Sequence, residues 1–513
     1  MKLNENPIFL TQKRLVHRGG VLAAILFALL TGFSLLSGLI AYRAIPKDFG
    51  LFYSTQDAGK MFYGWTIGIE ALILVFAAFN RICRALSNER KSGLWDSNRL
   101  TPLKPCQLVI GYWLGSALRE FYMASTLAGT GLIIVVLAGL PLKIWLGTQI
   151  LVLCSALFFG LIAVLVGSTV QRAQADLIFI ALFFVLASFS FAAPRFVVTD
   201  FILPVYGIVN LFTTGYHPGG VYDSLNEWHD WPQIFGLSVH PILLSIGLQL
   251  IIGIFLWRTA IRKTANPFRP SMLRWETVAI FVTLLVTQHG LVWGLWHGKY
   301  PTPFAHYSTL LDGGSNSYPD LPLLPMIHGG TILLIIITLI FSSPQPETVR
   351  LSILRFDVKN LAAIFLRSSV SLALILSILA AAVLFLQFEQ AFADSWKIFT
   401  ITVGNLLTFS LIFSLTFESC RLRHKRRALG FVALWLFVLC VLPFILAGVF
   451  INPAFVKLSL LSPGIIALVG PDDENLNCLL GIVAGHFGIV LLLFIGWLRE
   501  WRKLLAKTAP AQN

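Results

Sequence analysis

This 513-residue chain is 57% hydrophobic and only 12% charged, a composition that excludes an ordinary soluble globular protein. Its formal net charge of +14 would suit a nucleic-acid binder, but the cations are spread over many short segments and lack the stacking aromatics of such proteins. The six cysteines form no CxxC pair, so the sequence indicates neither a disulfide framework nor a zinc site.

Apolar runs of about 20 residues, the length that crosses a bilayer, predict twelve membrane spans along the chain. Because backbone amides in lipid must be paired within their own segment, each run predicts a helix. The first run is too long for a signal-peptide core and no cleavage site stands out after it, so we expect it to be retained. The predicted spans are 21–42, 61–80, 108–140, 146–170, 176–194, 239–257, 276–296, 326–343, 368–388, 398–418, 430–451 and 477–498.

The distribution of positive charge predicts the orientation of these spans. With the N-terminus on the cytoplasmic side, 29 of the 38 Lys and Arg residues fall in inner segments and 8 in outer loops. Such an excess on one side is typical of cytoplasmic loops. The fold class that follows is an all-α, polytopic integral membrane protein with about twelve transmembrane helices and both termini cytoplasmic.

The layout of loops predicts two halves of six spans each, residues 1–262 and 263–513. In each half a long inner loop follows the second span, a short basic inner turn follows the fourth, and a long outer segment precedes the last. Six spans is an even number, so the two copies would share one orientation and form a parallel repeat, here a divergent one.

The inner loop after the second span, residues 81–107, is the most informative segment. Its apolar side chains in this polar setting predict a contact with a groove on a partner or with the lipid interface; they are Leu94, Trp95, Leu100 and Leu103. Its cations suit carboxylates of a partner or anionic head groups; they are Arg90, Lys91, Arg99 and Lys104. Thr101-Pro102 predicts the end of a short helix, because proline disfavours the helical conformation of the residue before it.

This loop resembles the permease subunits of type-2 ABC transporters. The similarity lies in Glu89-Arg90-Lys91-Ser92-Gly93, Asp96 and Leu100-Thr101-Pro102-Leu103, followed by Gly111 and Gly115. The segment Asn6–Val16 resembles the short amphipathic helix that precedes the first span in that family, with Asn6 as its cap and Pro7 at its first position. The chain departs from the family pattern at Leu94, Ser97, Asn98, Arg99 and Tyr112.

The resemblance implies an exporter that is driven by a separate soluble ATPase. The chain contains no G-x-x-x-x-G-K-[ST] segment, so we expect it to bind no cofactor and to be no enzyme, with ATP and Mg²⁺ on the partner subunit. Two ATPase copies would dock beneath one chain, although a homodimer of whole chains stays open. The implied contact residues are Glu89, Arg90, Gly93, Asp96, Leu100, Thr101, Pro102 and Leu103, with a weaker second contact at Glu347, Arg350 and Arg355.

Ionisable residues at membrane depth are a second group of candidates, because they are costly there. Glu70 lies near the middle of the second span. Arg119 lies in the long third segment, where it either extends to the inner surface or pairs with Glu70. His289 and His486 also lie in spans, where a packing role is the more common one.

The outer loops leave a different class of function open, a membrane enzyme of envelope lipids or glycans. His217, Asp223, Glu227, His229 and Asp230 fall close together, and His297, His306, Asp312 and Asp320 follow in the next outer loop. Alanine at Asp223, Glu227 and Asp230 would discriminate, since an enzyme should lose its activity and a permease should not. In the resembling family a gate precedes the sixth span, which would place it at 204–220. An ion-driven secondary transporter is the third alternative; it needs paired intramembrane acids, and Glu70 alone does not make such a pair.

Overall fold

A computed structural model describes the chain at residues 6–18, 20–44, 55–169, 198–202, 233–235, 237–266, 272–297, 368–391, 396–424 and 473–506, and at a few helical positions within 328–339 and 365–366. The described residues are almost entirely helical, and seven of their helices are long and apolar enough to cross a membrane. The chain is therefore an all-α polytopic membrane protein, as the composition predicts.

The first helix, α1 (Pro7–Arg18), is short and amphipathic and precedes the first span, α2 (Val21–Ala44). Asn6 caps α1, because its side-chain oxygen accepts hydrogen bonds from the backbone amides of Ile8 at 3.0 Å and Phe9 at 3.3 Å. Both the cap and the proline at the first helical position agree with the sequence prediction.

The second span is longer than its apolar run. Helix α3 (Thr55–Ala71) continues through a π-helix (Leu72–Ala77) into α4 (Ala78–Ser92) without interruption. The predicted span, 61–80, marks the apolar part correctly but misses both helix ends. The helix continues past the predicted inner end because residues 81–92 are amphipathic, with Ile82, Cys83 and Leu86 buried and the charged side chains largely outward.

The third predicted span, 108–140, is wrong as one continuous helix. The chain forms α5 (Leu94–Leu100) in the loop, then α6 (Pro105–Ser116) and α7 (Leu118–Leu137), with a break at Ala117. The break is stabilised from α4, where Arg81 Nε donates a hydrogen bond of 3.1 Å to the carbonyl oxygen of Ser116. A carbonyl freed at the break thus gains a charged donor.

The remaining described helices up to residue 266 pack around α8 (Leu142–Thr169). Helix α8 contacts α4 and also α10 (Pro241–Ala265), and the short α9 (Thr199–Ile202) packs on α10. Gln249 of α10 joins these elements, since its amide donates at 3.0 Å both to Ser155 Oγ in α8 and to the carbonyl of Ile202. Two-residue strands, β1 (Gln233–Ile234) and β2 (Leu237–Ser238), are the extended elements of the described chain.

The part of the chain after residue 266 contains four long helices, α11 (Arg274–His297), α12 (Ser369–Ala391), α13 (Trp396–His424) and α14 (Asp473–Ala506). Glu418 of α13 caps the start of α12, accepting hydrogen bonds from Ser369 N at 3.1 Å and Ser369 Oγ at 2.7 Å. Arg274 donates to the carbonyl of Ser368 at 2.8 Å, which fixes the same turn from α11. A carboxylate at a helix N-terminus and an arginine on the preceding carbonyls satisfy the free backbone groups there.

The chain divides into two compact units. The first is Met1–Arg195, Thr199–Pro232 and Ser238–Asn266, and the second is Phe196–Val198, Gln233–Leu237 and Pro267–Asn513. The main division, at Asn266–Pro267, lies near the expected boundary between the halves, but the repeat itself stays a prediction. The predicted spans 176–194 and 430–451 lie outside the described residues, so the count of twelve also stays a prediction.

Candidate functional site: the loop between the second and third spans

The loop begins at a glycine that ends one helix and starts the next. Gly93 has φ +75°, the left-handed conformation that glycine adopts at no steric cost. Its amide donates to the carbonyl of Arg90 at 3.4 Å, and its own carbonyl accepts from Ser97 N at 3.1 Å. The predicted motif position Gly93 is therefore the turn that joins α4 to α5.

Glu89 is the centre of a hydrogen-bond network that joins four helices. Its carboxylate accepts a hydrogen bond from Gln12 Nε2 of α1 at 2.6 Å and from Asn98 Nδ2 of α5 at 3.3 Å. It also accepts one from the Tyr112 hydroxyl of α6. All three partners donate, so the Glu89 oxygens are the acceptors at the centre of this network. We call Gln12, Glu89, Asn98 and Tyr112 the Glu89 hub.

The hub is reinforced by contacts among its own members and their neighbours. Asn98 Nδ2 also donates to the Tyr112 oxygen at 2.8 Å. The Trp95 ring packs against the Tyr112 ring with a centroid separation of 5.1 Å. Trp95 is only 4% exposed, so the expectation that this residue needs a groove on a partner is wrong. Its apolar surface is buried against α6 within the same chain.

Close packing of α1 on α6 supports the hub. A Cβ atom added at Gly111 would lie 2.8 Å from Ile8 Cβ, and one at Gly115 would lie 2.9 Å from Gln12 Cβ. Asn6 Nδ2 also donates to the carbonyl of Gln107 at 2.6 Å. The two motif glycines are therefore the positions where α1 lies closest to α6.

The outward face of α5 presents apolar side chains to solvent. Leu94 is 55% exposed and Leu100 is 89% exposed. Helix α5 ends at Leu100 because Thr101 is extended at φ −70° and ψ 157°, which confirms the stop that Thr101-Pro102 predicts. Arg90, Asp96, Thr101 and Pro102 are exposed and Leu103 is half-buried.

The predicted loop residues therefore separate into two groups. Glu89 points into the protein and binds neighbouring helices, while most of the others line the outer surface of the loop. Sequence reasoning missed Gln12 as a partner of Glu89. It noted Asn98 and Tyr112 only as departures from the family pattern, and these two departures meet on the same carboxylate.

The two intramembrane candidates do not pair with each other. Glu70 accepts a hydrogen bond from Gln149 Nε2 of α8 at 2.9 Å. Arg119 instead donates to Glu120 Oε1 through Nε at 3.1 Å and Nη2 at 2.8 Å. Glu120 is fully buried and its second oxygen lies 3.8 Å from Arg81 Nε. Arg119 is thus part of an ion-pair cluster at the Ala117 break.

The remaining candidates are less informative. His289 lies edge-on to Phe235 with ring centroids 5.7 Å apart, and His486 is buried in α14. Glu347, Arg350 and Arg355 lie outside the described residues, as do the outer-loop groups at His217–Asp230 and His306–Asp320 and the segment 204–220; of His297 only the helical backbone is described. Among the described residues no group of three or more His, Cys, Asp and Glu side chains could hold a metal ion.

Comparison with protein-family models, curated proteins and solved structures finds no match for this chain. The case for a function therefore depends on the site itself. A structured loop presents exposed apolar side chains on one face, and its other face is joined through one carboxylate to three neighbouring helices.

Proposed function

We propose that this chain is the permease component of an ATP-driven transporter of the type-2 ABC class, working as an exporter in the cytoplasmic membrane of a bacterium. The observation that carries the proposal is the Glu89 hub beneath an exposed α5. A loop that only fixed topology would need positive charge but no network to α1, α5 and α6.

The hub is suited to passing a displacement from the loop into the membrane helices. A partner that presses on Leu94 and Leu100 moves α5, and α5 is joined to Glu89 at the inner end of the second span. Glu89 is joined in turn to α1 and to α6, the start of the third segment. Because protein interiors are close-packed, such a joined group moves as a unit.

The partner would be a soluble P-loop ATPase, because the chain has no nucleotide-binding segment of its own. Two ATPase copies under one chain, or one beneath each chain of a homodimer, would both supply nucleotide-driven closure. Closure of the ATPases around nucleotide would bring the docked loops together and alternate the packing of the membrane halves. Membrane lipid surrounds the spans, and no nucleic acid is involved.

The test is co-purification of the ATPase with loop variants. We expect the tagged wild-type chain to retain a protein with a G-x-x-x-x-G-K-[ST] segment and to stimulate its ATP hydrolysis. Leu100→Asp should abolish both, since it places a charge at the centre of the apolar contact. Ser97→Asp is the matched control, because it adds the same charge to an exposed position of the same helix.

Two results would overturn the proposal. One is the absence of any P-loop ATPase in the purified wild-type complex. The other is equal retention of that ATPase by Leu100→Asp and wild type, which would show that α5 is not its docking surface.

Replacing Glu89 and Asp96 together by lysine should also abolish ATP-coupled transport while membrane insertion stays normal.

A further inference from the structure

A buried carboxyl group lies deep within the second span. Glu70 is twelve residues beyond Ala58, the start of that membrane-crossing helix, or about 18 Å along a helix that rises 1.5 Å per residue. The hydrocarbon core of a bilayer is about 30 Å thick, so Glu70 lies near its middle. Its side chain is only 2% exposed.

The partners of Glu70 are neutral and come from α3 and α8. Gln149 Nε2 donates to Glu70 Oε2 at 2.9 Å. Tyr63 lies two helical turns before Glu70, and Thr148 directly precedes Gln149; their hydroxyl groups are hydrogen-bonded to each other, and Tyr63 also bonds to Gln149. We call Tyr63, Glu70, Thr148 and Gln149 the polar cluster.

Within the part of the chain that the structure describes, no Lys or Arg side chain forms an ion pair with the Glu70 carboxyl. The carboxyl is buried and accepts its hydrogen bond from the neutral amide of Gln149. The described ionisable side chains on this helix and on the elements packed around this stretch include Lys60 and Tyr63 of α3, Tyr42 of α2, Arg81 and Cys83 of α4, Arg119, Glu120 and Tyr122 of α7, and Lys143 and Cys154 of α8. An isolated carboxylate in an apolar interior is costly, so the neutral carboxylic acid is favoured here.

Glu120 provides the contrast within the same unit. It is as deeply buried as Glu70 but lies 2.8 Å from Arg119 Nη2 and 3.8 Å from Arg81 Nε. Two guanidinium groups thus lie within 4 Å of this carboxyl. The first unit therefore buries two acids in opposite environments, one facing two cations and one facing an amide.

The backbone next to Glu70 departs from α-helical geometry. The π-helix Leu72–Ala77 begins two residues after Glu70. Short π-helices are rare and occur frequently at functional sites, because they change the register of the side chains on either side. On the opposite side, α7 comes close to the cluster at Gly131, where an added Cβ would lie 3.0 Å from the Tyr63 ring.

We propose that Glu70 is a proton-binding site of the membrane region, and that it loses its proton only when the contact between α3 and α8 opens. In the closed arrangement the carboxylic acid is neutral and hydrogen-bonded to Gln149. Opening at the π-helix admits water, the O–H bond breaks, and the proton passes to a water molecule. The carboxylate that remains keeps the contact open until a proton returns.

This device gives the chain a proton-linked conformational step that needs no ATPase. It is separate from the Glu89 hub. Glu70 lies on another part of the helix and binds a proton, whereas the loop at the hub binds the ATPase. A failed test of Glu70 therefore leaves the ATPase-driven function standing, and a failed test of the ATPase partner leaves the role of Glu70 standing. All the measurements below use the purified full-length chain in lipid nanodiscs without a partner.

The first test is infrared spectroscopy of the carboxyl groups. We expect the difference spectrum of wild type minus Glu70→Gln at neutral pH to show the carbonyl stretch of a protonated carboxylic acid. A carboxylate signal for Glu70 at neutral pH would overturn the proposal.

The second test links protonation to conformation by hydrogen exchange of α8. Raising the pH to an alkaline value should increase exchange around Gln149 in wild type, beyond the ordinary chemical effect of pH on exchange. Glu70→Gln, which mimics the neutral acid, should remove this increase, and Glu120→Gln should keep it. Wild-type exchange that shows no additional increase, or an unchanged increase in Glu70→Gln, would contradict the coupling.

A third measurement needs no variant and covers the case in which Glu70→Gln fails to fold. A hydrophobic carbodiimide adds to protonated carboxyl groups in apolar surroundings. Wild-type protein treated at neutral pH should carry the adduct on the Glu70 peptide, as identified by mass spectrometry. Absence of the adduct from the Glu70 peptide would overturn the proposal.

Discussion

At the scale of single residues, one carboxylate determines how the inner loop is attached to the membrane helices. The sequence pattern predicts Glu89 as a motif position, yet it predicts contact with a partner, whereas the side chain binds Gln12, Asn98 and Tyr112. Gln12 lies 77 positions away in the chain, and no local periodicity relates the two. Such a contact follows from the packing of α1 on α6, which the sequence alone does not define.

Glu89→Gln should destabilise the protein, because the new amide group would point a donor at partners that are themselves donors. Hydrogen bonds to charged groups contribute about 1.5–3 kcal/mol each, so we expect a clear fall in melting temperature. Thermal unfolding of the detergent-solubilised protein measures it. Asp96→Asn is the matched control, since Asp96 is exposed and surface changes usually stay within about 0.5 kcal/mol. Equal melting temperatures for the two variants would contradict the role of the hub.

At the scale of elements, most helices follow from apolar runs and turn residues, but their interruptions do not. Pro102 predicts the end of α5, because its effect on the preceding residue is local, and α4 ends at Gly93 in a conformation that glycine adopts readily. The break at Ala117 has no glycine or proline at that residue and depends on Arg81 binding the Ser116 carbonyl. The π-helix at Leu72–Ala77 likewise has no local signal, because its residues are ordinary apolar ones.

The crossing of α1 over α6 gives a prediction in which two glycines respond in opposite ways. Gly111→Ala should lower the melting temperature, since the new methyl group would lie 2.8 Å from Ile8 Cβ and overpacking costs about 1–3 kcal/mol. Gly129→Ala in α7 should leave it unchanged or raise it, because no atom lies within 4 Å and alanine favours a helix by about 1 kcal/mol.

Hydrogen exchange of α1 should separate a local effect from a general one. Displacement of α1 predicts faster exchange of its amides in Gly111→Ala, with the exchange of α8 unchanged. If both glycine variants had the same stability and exchange, the close approach at Gly111 would not be a determinant of this packing.

At the scale of the whole molecule, composition and charge predict the class correctly, since the chain is an all-α membrane protein with long apolar helices. Orientation is the property on which the proposed function depends. An ATPase in the cytoplasm can reach α5 only if the loop 81–107 is on the cytoplasmic side. The excess of Lys and Arg in the predicted inner segments favours that side, because positive loops are retained there.

Single cysteines in a cysteine-free background test this orientation through both halves of the chain. We expect a membrane-impermeant maleimide to label Ser224→Cys and Ser315→Cys in intact cells, because both lie in predicted outer loops. Ser97→Cys and Ser271→Cys should react only after the membrane is permeabilised. Serine and cysteine are similar in size, so the fold should tolerate each change. Labelling of Ser97→Cys in intact cells would place α5 outside, and a cytosolic ATPase could not drive the protein through it.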